Sequence, residues 1–151
     1  MSAAPEQLSV TIRRAKLADA PRLAALAGQL SYPSTPEEVA ARLRGILPDP
    51  EHAIFLAEGK NGEISGYVDV FLLRTAASNA RAEIAGMVVD ESSRSQGIGQ
   101  LLMARAEEWA REAGCAEVGL RSNVIRERAH AFYENLGYRV NKTQKSFRKP
   151  L

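Results

Sequence analysis

The segment Arg94-Ser95-Gln96-Gly97-Ile98-Gly99-Gln100 holds the residue types and spacing in this chain best suited to chemistry. Its two glycines stand between an apolar run, Met87-Val88-Val89, and the start of a long helical pattern. The first N–H groups of a helix have no carbonyl partner within it, and the helix dipole is positive at that end. With no side chains at Gly97 and Gly99, an anion can approach those N–H groups closely, and Arg94 can add a charged donor. A pyrophosphate is the ligand this arrangement suggests. Two familiar nucleotide motifs fail on spacing: a dinucleotide fingerprint needs glycine where Leu102 stands, and G-x-x-x-x-G-K-[ST] is absent. A tight turn that binds nothing is the simpler use of two glycines, so the surrounding elements have to decide.

Those elements can be read from periodicity and punctuation. Leu8, Val10 and Ile12 alternate along a strand from Leu8 to Arg14. Asp19 is predicted to cap a helix with Pro21 in its first turn and Leu23, Leu26 and Leu30 on one face. Thr35-Pro36-Glu37-Glu38 has the spacing of a capping box, followed by Val39, Leu43, Ile46 and Leu47 at helical intervals and ended by Pro48. Strands from His52 to Glu58 and from Glu63 to Leu73 flank the turn Lys60-Asn61-Gly62 and should pair antiparallel. A loop from Thr75 to Asn79 leads to a strand from Arg81 to Val89. The longest helix then carries Ile98, Leu101, Leu102, Ala106, Trp109, Ala110 and Ala113, with Gly114 at its C-terminal cap. A short strand from Ala116 to Ser122, a helix from Arg126 to Leu136 capped by Gly137, and a closing hairpin of Tyr138 to Val140 with Ser146 to Lys149 complete the pattern. The order is β-α-α-β-β-β-α-β-α-β-β, with no internal repeat and no linker. It predicts an α/β (α+β) single domain over residues 1–151, ordered from about 8 to 149, with a mostly antiparallel mixed sheet flanked by helices.

The glycine segment resembles motif A of the GCN5-related N-acetyltransferases (GNAT), whose hallmark is Arg or Gln, two residues, Gly, one residue, then Gly or Ala. Arg94, Gly97 and Gly99 fill it. Met87-Val88-Val89-Asp90 is similar to the family's fourth strand, where main-chain groups pair with the pantetheine arm, and Ala129 to Tyr138 is similar to its motif B. The likeness extends over essentially the whole chain. It implies acetyl-CoA as acyl donor, no metal, and transfer of the acetyl group directly to an amine. The coenzyme-binding residues it implies are Met87, Val88, Val89, Arg94, Ser95, Gln96, Gly97, Ile98, Gly99 and Gln100. Where the family often has asparagine, seven residues before the motif B tyrosine, this chain has Arg126, with Asn123 nearby, and both are coenzyme candidates. Glu91 likewise replaces a common proline.

Amine acylation needs a neutral amine, whereas an aliphatic amine with a pKa of about 10 is mostly protonated at neutral pH. Glu83 matches the position where histone-acetylating members carry a general base; the plainer account is an exposed strand-end residue paired with Arg81. Tyr133 matches the family's acid, a phenol that protonates the departing thiolate, although its apolar helix face also fits a structural role. The oxyanion would meet a main-chain N–H near Val88 or Val89. In this family the acceptor site is built around the first two helices and the adjacent strands. Tyr32 is one wall candidate there, and Asp69, on a strand face with Tyr67 and Phe71, can attract a cationic amine or simply be a solvated residue. The acceptor is a small-molecule or protein amine. A module that senses acyl-CoA without turnover would keep the loop and drop the chemistry.

The remaining features exclude more than they suggest. The 20 Lys and Arg against 18 Asp and Glu leave a net charge of +2, too small for a nucleic-acid partner by bulk electrostatics. The lone cysteine, Cys115, permits no intrachain disulfide and reads as a small buried residue. His130 lies off its helix's apolar stripe, and His52 has no companion ligands for a metal, so neither is given a role. The first residues lack a basic and then apolar leader, and no run approaches the roughly 20 apolar residues that span a bilayer. The expectation is a cytoplasmic protein with no membrane partner, whose C-terminal hairpin offers an edge through which a homodimer could form.

Overall fold

The computed structural model describes residues 9–151, so Leu8 and the expected start of the ordered core lie outside the described residues. Two compact units divide the chain after Leu120.

The first unit is built on a five-stranded sheet in the order β1 (Val10–Arg14), β2 (His52–Gly59), β3 (Ile64–Thr75), β4 (Ser78–Val89) and β5 (Val118–Leu120). All neighbours are antiparallel except β4 and β5, which run parallel. This is the mixed, mostly antiparallel sheet expected. Among the described residues the unit has the α-helices α1 (Ala20–Gly28), α2 (Pro36–Ile46) and α3 (Ile98–Glu112).

Side chains alternate across a pleated sheet, so the register decides what each face buries. One face presents Ile54, Leu56 and Val88 to a core completed by Leu23 and Leu26 of α1 and Leu43 of α2, with Tyr67 packed against it. The other face presents Phe55, Val68 and Val70, and the buried stripe of α3, Leu102, Met103, Ala106, Trp109 and Ala110, completes the second core. Gly66 lets α3 sit close: a Cβ there would lie 3.1 Å from Leu102 Cδ1 and 2.7 Å from the Val88 carbonyl oxygen.

Local signals explain most boundaries. The Thr35 hydroxyl accepts from the Glu38 N–H and the Glu38 carboxylate accepts from the Thr35 N–H, both at 3.1 Å, closing the capping box read from sequence. The β2–β3 turn spans Lys60 to Gly62, with Gly62 left-handed at φ 81° and the Gly59 N–H bonded to Glu63 O at 2.8 Å. Gly114 and Gly137, at φ 85° and 96°, follow α3 and the last helix as expected.

Three expectations are corrected. Asp19 does not cap α1 with its side chain; its carboxylate accepts two bonds from Arg13 at 2.9 Å and one from the Lys16 N–H at 2.7 Å. The loop expected from Thr75 to Asn79 is mostly strand, because Thr75 pairs with Ser78 and their hydroxyls meet at 3.0 Å, tightening the connection. The closing hairpin of Tyr138 to Val140 and Ser146 to Lys149 carries no strand. Val140 and Phe147 are 73% and 88% exposed, so the few apolar side chains there bury too little area to order strands between charged neighbours.

The second unit, Arg121–Leu151, contains one helix, α4 (Glu127–Asn135). Within it the Phe132 and Tyr133 rings meet edge to face at 5.2 Å, and Tyr133 meets Tyr138 in the same way at 6.0 Å. The Tyr133–Tyr138 ring contact and the bond from the Tyr138 N–H to Tyr133 O at 3.0 Å join α4 to the chain after it.

Candidate active site

The glycine segment emerges as a sharply bent bridge from β4 to α3. Asp90 leaves the strand, a single 3-10 turn covers Glu91–Ser93, and Arg94 is extended at φ −67°, ψ 156°. Ser95 and Gly97 then adopt left-handed backbones at φ 66° and 81°. The conformation is easy for glycine and uncommon for serine, so the bend is imposed by both ends of the bridge. Gly97 is the N-cap of α3, and its carbonyl accepts from the Leu101 N–H at 3.2 Å. The N–H groups of Ile98, Gly99 and Gln100 have no acceptor inside the helix.

No side chain caps this helix and no acidic residue lies in its first turn. In α2 the same positions hold a closed capping box with Glu37 and Glu38. One helix start is thus satisfied internally and the other is open to an anion. Arg94, Ser95, Gln96, Gly97 and Gln100 are exposed, whereas Ile98 is only 2% exposed and roots the helix in the core.

Upstream, β4 parts from its neighbour. It pairs with β5 over Ala82 to Ile84, and β5 ends at Leu120. The β3–β4 register shifts at the same place, leaving Ala85 as an extra residue between Ile84 and Gly86. Beyond that bulge, Gly86 to Val89 pair with β3 and, among the described residues, have no strand of the first unit on their other edge. Met87, Val88 and Val89 lie along that edge, where the resemblance implies an extended pantetheine arm.

The face shared with α1 and α2 carries the polar side chains. Phe71 pairs with His52 on one side and Glu83 on the other, and Glu83 pairs with Gly119. Glu83 is 8% exposed, so the strand-end reading of an exposed carboxylate does not hold, but its expected neighbour does: Arg81 Nε lies 3.4 Å from Glu83 Oε2. Gly119 makes room for it, since a Cβ there would lie 2.8 Å from the same oxygen.

Asp69 is half-buried and engaged: His52 Nε2 lies 2.5 Å from Asp69 Oδ1, and the His52 ring tilts against Phe71 at 5.8 Å. The bond to Asp69 raises the His52 pKa above its ordinary 6.5, against the opposing pull of burial. Burial, reinforced by Asp69, pushes the Tyr67 phenol up to about 12, so it stays protonated. His52 was given no role from sequence, and the signal that could have found it is the turn at Lys60 to Gly62, whose register carries His52 to Phe71. Tyr32 is 68% exposed in the connection between α1 and α2, following Ser31 with its left-handed φ of 65°.

In the second unit, Asn123 is occupied locally. Its side chain accepts from the Ile125 N–H at 3.1 Å and its carbonyl accepts from the Arg126 N–H at 3.0 Å. His130, another residue given no role, lies with Nε2 2.9 Å from that same carbonyl, so it pins the turn before α4. Arg126 is the exposed N-cap residue of α4 and makes no side-chain cap bond. Tyr133 is half-buried, and burial raises its pKa above 10.0 while Arg126 pulls the other way. Among the described residues no group of three His, Cys, Asp or Glu is placed to hold a metal, and no helix is long and apolar enough to cross a membrane.

Comparison with known proteins fits this geometry. The model of the Acetyltransferase (GNAT) family matches residues 20–138. The chain belongs to the GNAT acetyltransferase family. Like the family, it is an acetyl-CoA-dependent N-acetyltransferase, a transferase that moves acetyl onto an amine. It is 31% identical over 145 residues to an aminoglycoside N(6')-acetyltransferase type 1 of Stenotrophomonas maltophilia, covering 93% of this chain and 94% of that one. It is 34% identical to an aminoalkylphosphonate N-acetyltransferase of Salmonella typhimurium over 76% of this chain and 71% of the relative. Its fold superposes on the aminoglycoside N-acetyltransferase AAC(6')-Iy in complex with CoA at a TM-score of 0.85, with 20% identity, covering 99% and 100% of the two chains. The chain therefore carries the family's fold, a mixed five-stranded sheet flanked by helices.

Proposed function

We propose that this GNAT enzyme acetylates a primary amine of a small cationic molecule, of the kind its aminoglycoside-modifying relatives act on, with Glu83 as general base and Tyr133 as general acid. The observation that carries the reading is the polar face of β2 to β4. A buried carboxylate at Glu83, on the strand that runs directly into the anion-ready loop, and a half-buried one at Asp69 on β3 flank Phe71. Acidic groups beside an aromatic ring suit a cationic, partly apolar amine.

In this reading the α3 N–H groups and Arg94 hold the pyrophosphate, and the edge of β4 at Met87 to Val89 lines the pantetheine. Ser95, Gln96 and Gln100 shape the rim, and Asn123 or Arg126 adds a further coenzyme contact. Tyr32 serves as an acceptor wall. Glu83 takes a proton from the ammonium, directly or through water, and the freed nitrogen attacks the thioester carbonyl carbon. A main-chain N–H at Val88 or Val89 steadies the oxyanion. As the C–S bond breaks, Tyr133 donates its proton to the sulfur, and the proton shed by the new amide nitrogen restores the phenol through solvent; its raised pKa keeps the proton on the phenol until it is needed.

The test is thiol release from acetyl-CoA across a panel of aminoglycosides, polyamines, amino acids and lysine peptides. Glu83→Gln and Tyr133→Phe are each expected to lower kcat about a hundredfold while leaving coenzyme binding within about twofold. Unchanged kcat in both variants would remove these two residues from the chemistry, and turnover confined to the peptides would remove the small cationic acceptor.

A further inference from the structure

The bridge from β4 to α3 has two anchors. One is α3 itself, rooted by Ile98; the other is Asp90, which is held from three sides. Its N–H donates to Ser65 O at 2.7 Å, on the β3 residue left over where the β2–β3 register shifts. Its Oδ1 accepts from the N–H and the hydroxyl of Ser92 at 2.9 and 2.8 Å, which folds the 3-10 turn. Its Oδ2 accepts from Arg22 Nη2 at 2.5 Å, while Arg22 Nε donates to Ile64 O at 2.8 Å. At the C-cap of α1, Gln29 Oε1 accepts from the Glu91 N–H at 3.2 Å. Arg22 and Gln29 recur at helical spacing, so one stripe of α1 reaches both residues that launch the bridge.

We propose that Arg22 and Gln29 are positioning residues for the donor site, holding Asp90 and Glu91 so that the loop from Arg94 to Gly99 meets the pyrophosphate with its N–H groups already aligned. The proposal rests on the reading of that loop as the phosphate cradle. The Arg22 side chain is 39% exposed and Asp90 17%, and a pair so open to water contributes little to overall stability. Its geometric effect is larger. The bridge contains two left-handed residues and would otherwise sample several conformations, each with its donors turned differently; fixing one before binding lowers the ordering cost that binding must meet. The two contacts of Asp90 divide the work: Ser92 folds the turn and Arg22 sets its direction relative to α1. The Ser92 N–H and then Arg22 hold the Asp90 carboxyl well below the usual carboxylate range, so this charge persists throughout the pH range of assay.

The experiment is steady-state kinetics of the full chain in Arg22→Gln, Arg22→Lys, Asp90→Asn and Gln29→Ala, with thermal unfolding of each. Losing a hydrogen bond to a charged group should raise the KM for acetyl-CoA about five- to tenfold in Arg22→Gln and in Asp90→Asn. Gln29→Ala should raise it about twofold, Arg22→Lys should recover part of the loss, and kcat and the acceptor KM should stay within about twofold. The double variant Arg22→Gln/Asp90→Asn should be no worse than either single one, because both cut the same link. A lower unfolding midpoint with an unchanged acetyl-CoA KM would overturn the proposal, as would a fall in kcat alone. If Arg22→Gln does not fold, Gln29→Ala decides by the same KM. Gly97→Glu separates the two levels: if it raises the KM and the α1 variants do not, the cradle stands and its positioning by α1 falls. If Gly97→Glu leaves the KM unchanged, both fall.

Discussion

His52 and Asp69 are separated by seventeen residues, yet their side chains meet at 2.5 Å because the β2–β3 ladder sets His52 opposite Phe71 and diagonal to Asp69. The consequence is a pH dependence of known sign. The bond to Asp69 raises the folded-state pKa of His52 above 6.5, so the folded protein holds a proton that the unfolded chain has released. The pair's contribution to stability is therefore complete below about pH 6.5 and lost as pH rises through the higher folded-state value. Asp69→Asn should narrow its deficit from wild type as pH rises from 5.5 to 8.5, measured by thermal unfolding at both pH values. A deficit equal at the two would mean that the imidazole is not the titrating partner. The same contact changes the reading of Asp69 itself. A single residue on an alternating strand suggests a solvated charge, but paired with His52 it offers an incoming amine a net charge set by the imidazole.

At the scale of elements, α2 and α3 show how similar apolar stripes can serve opposite ends. Thr35 and Glu38 close the start of α2 with their own side chains. Gly97 starts α3 and offers no side chain. Thr35→Ala should cost about 1 kcal/mol, a fall in unfolding midpoint of about 2–4 °C, and leave the KM for acetyl-CoA unchanged. Gln100→Asp should do the reverse, placing a carboxylate in the first turn of α3. It should add about 0.3–1 kcal/mol of stability and raise the KM for acetyl-CoA about fivefold. A Gln100→Asp variant that gains stability without losing coenzyme affinity would show that the helix start is not where the anion binds. Both helix starts were legible in the sequence, because caps and glycines act over three or four neighbouring residues. The connection between β3 and β4 was not: Ser78 and Asn79 read as loop residues, and only pairing with β3 makes them strand. The segment after Gly137 went in the other direction: Tyr138 to Val140 and Ser146 to Lys149 were expected to hairpin at the sheet edge and form no strand.

For the whole molecule, what was legible follows how far each signal reaches along the chain. The loop from Arg94 to Gly99 is contiguous, so its turn into an uncapped helix start showed in a few letters. The exposure of Glu83 could not be read, because it depends on Gly119 yielding space from a strand that joins the sheet in parallel. The anchoring of Asp90 by Arg22, sixty-eight residues earlier, has no sequence signature at all. The same division governs how the protein should respond to its donor. With a net charge of +2 there is no strong global field to draw in a polyanion, and at 0.15 M salt exposed charges are felt over only about 8 Å. On the proposed reading, affinity for the coenzyme comes from the local donors of the bridge and α3, and binding should stabilise the fold by simple linkage. At a free concentration a hundredfold above Kd, acetyl-CoA should add about 2.7 kcal/mol, which for a chain of this size raises the unfolding midpoint by roughly 5–11 °C. Dephosphorylated, pyrophosphate-free pantetheine should give little of that shift, and Gly97→Glu should abolish most of it while leaving the unliganded midpoint within about 4 °C. An equal shift from pantetheine and from the whole coenzyme would place the binding energy along β4 and take it away from the helix start.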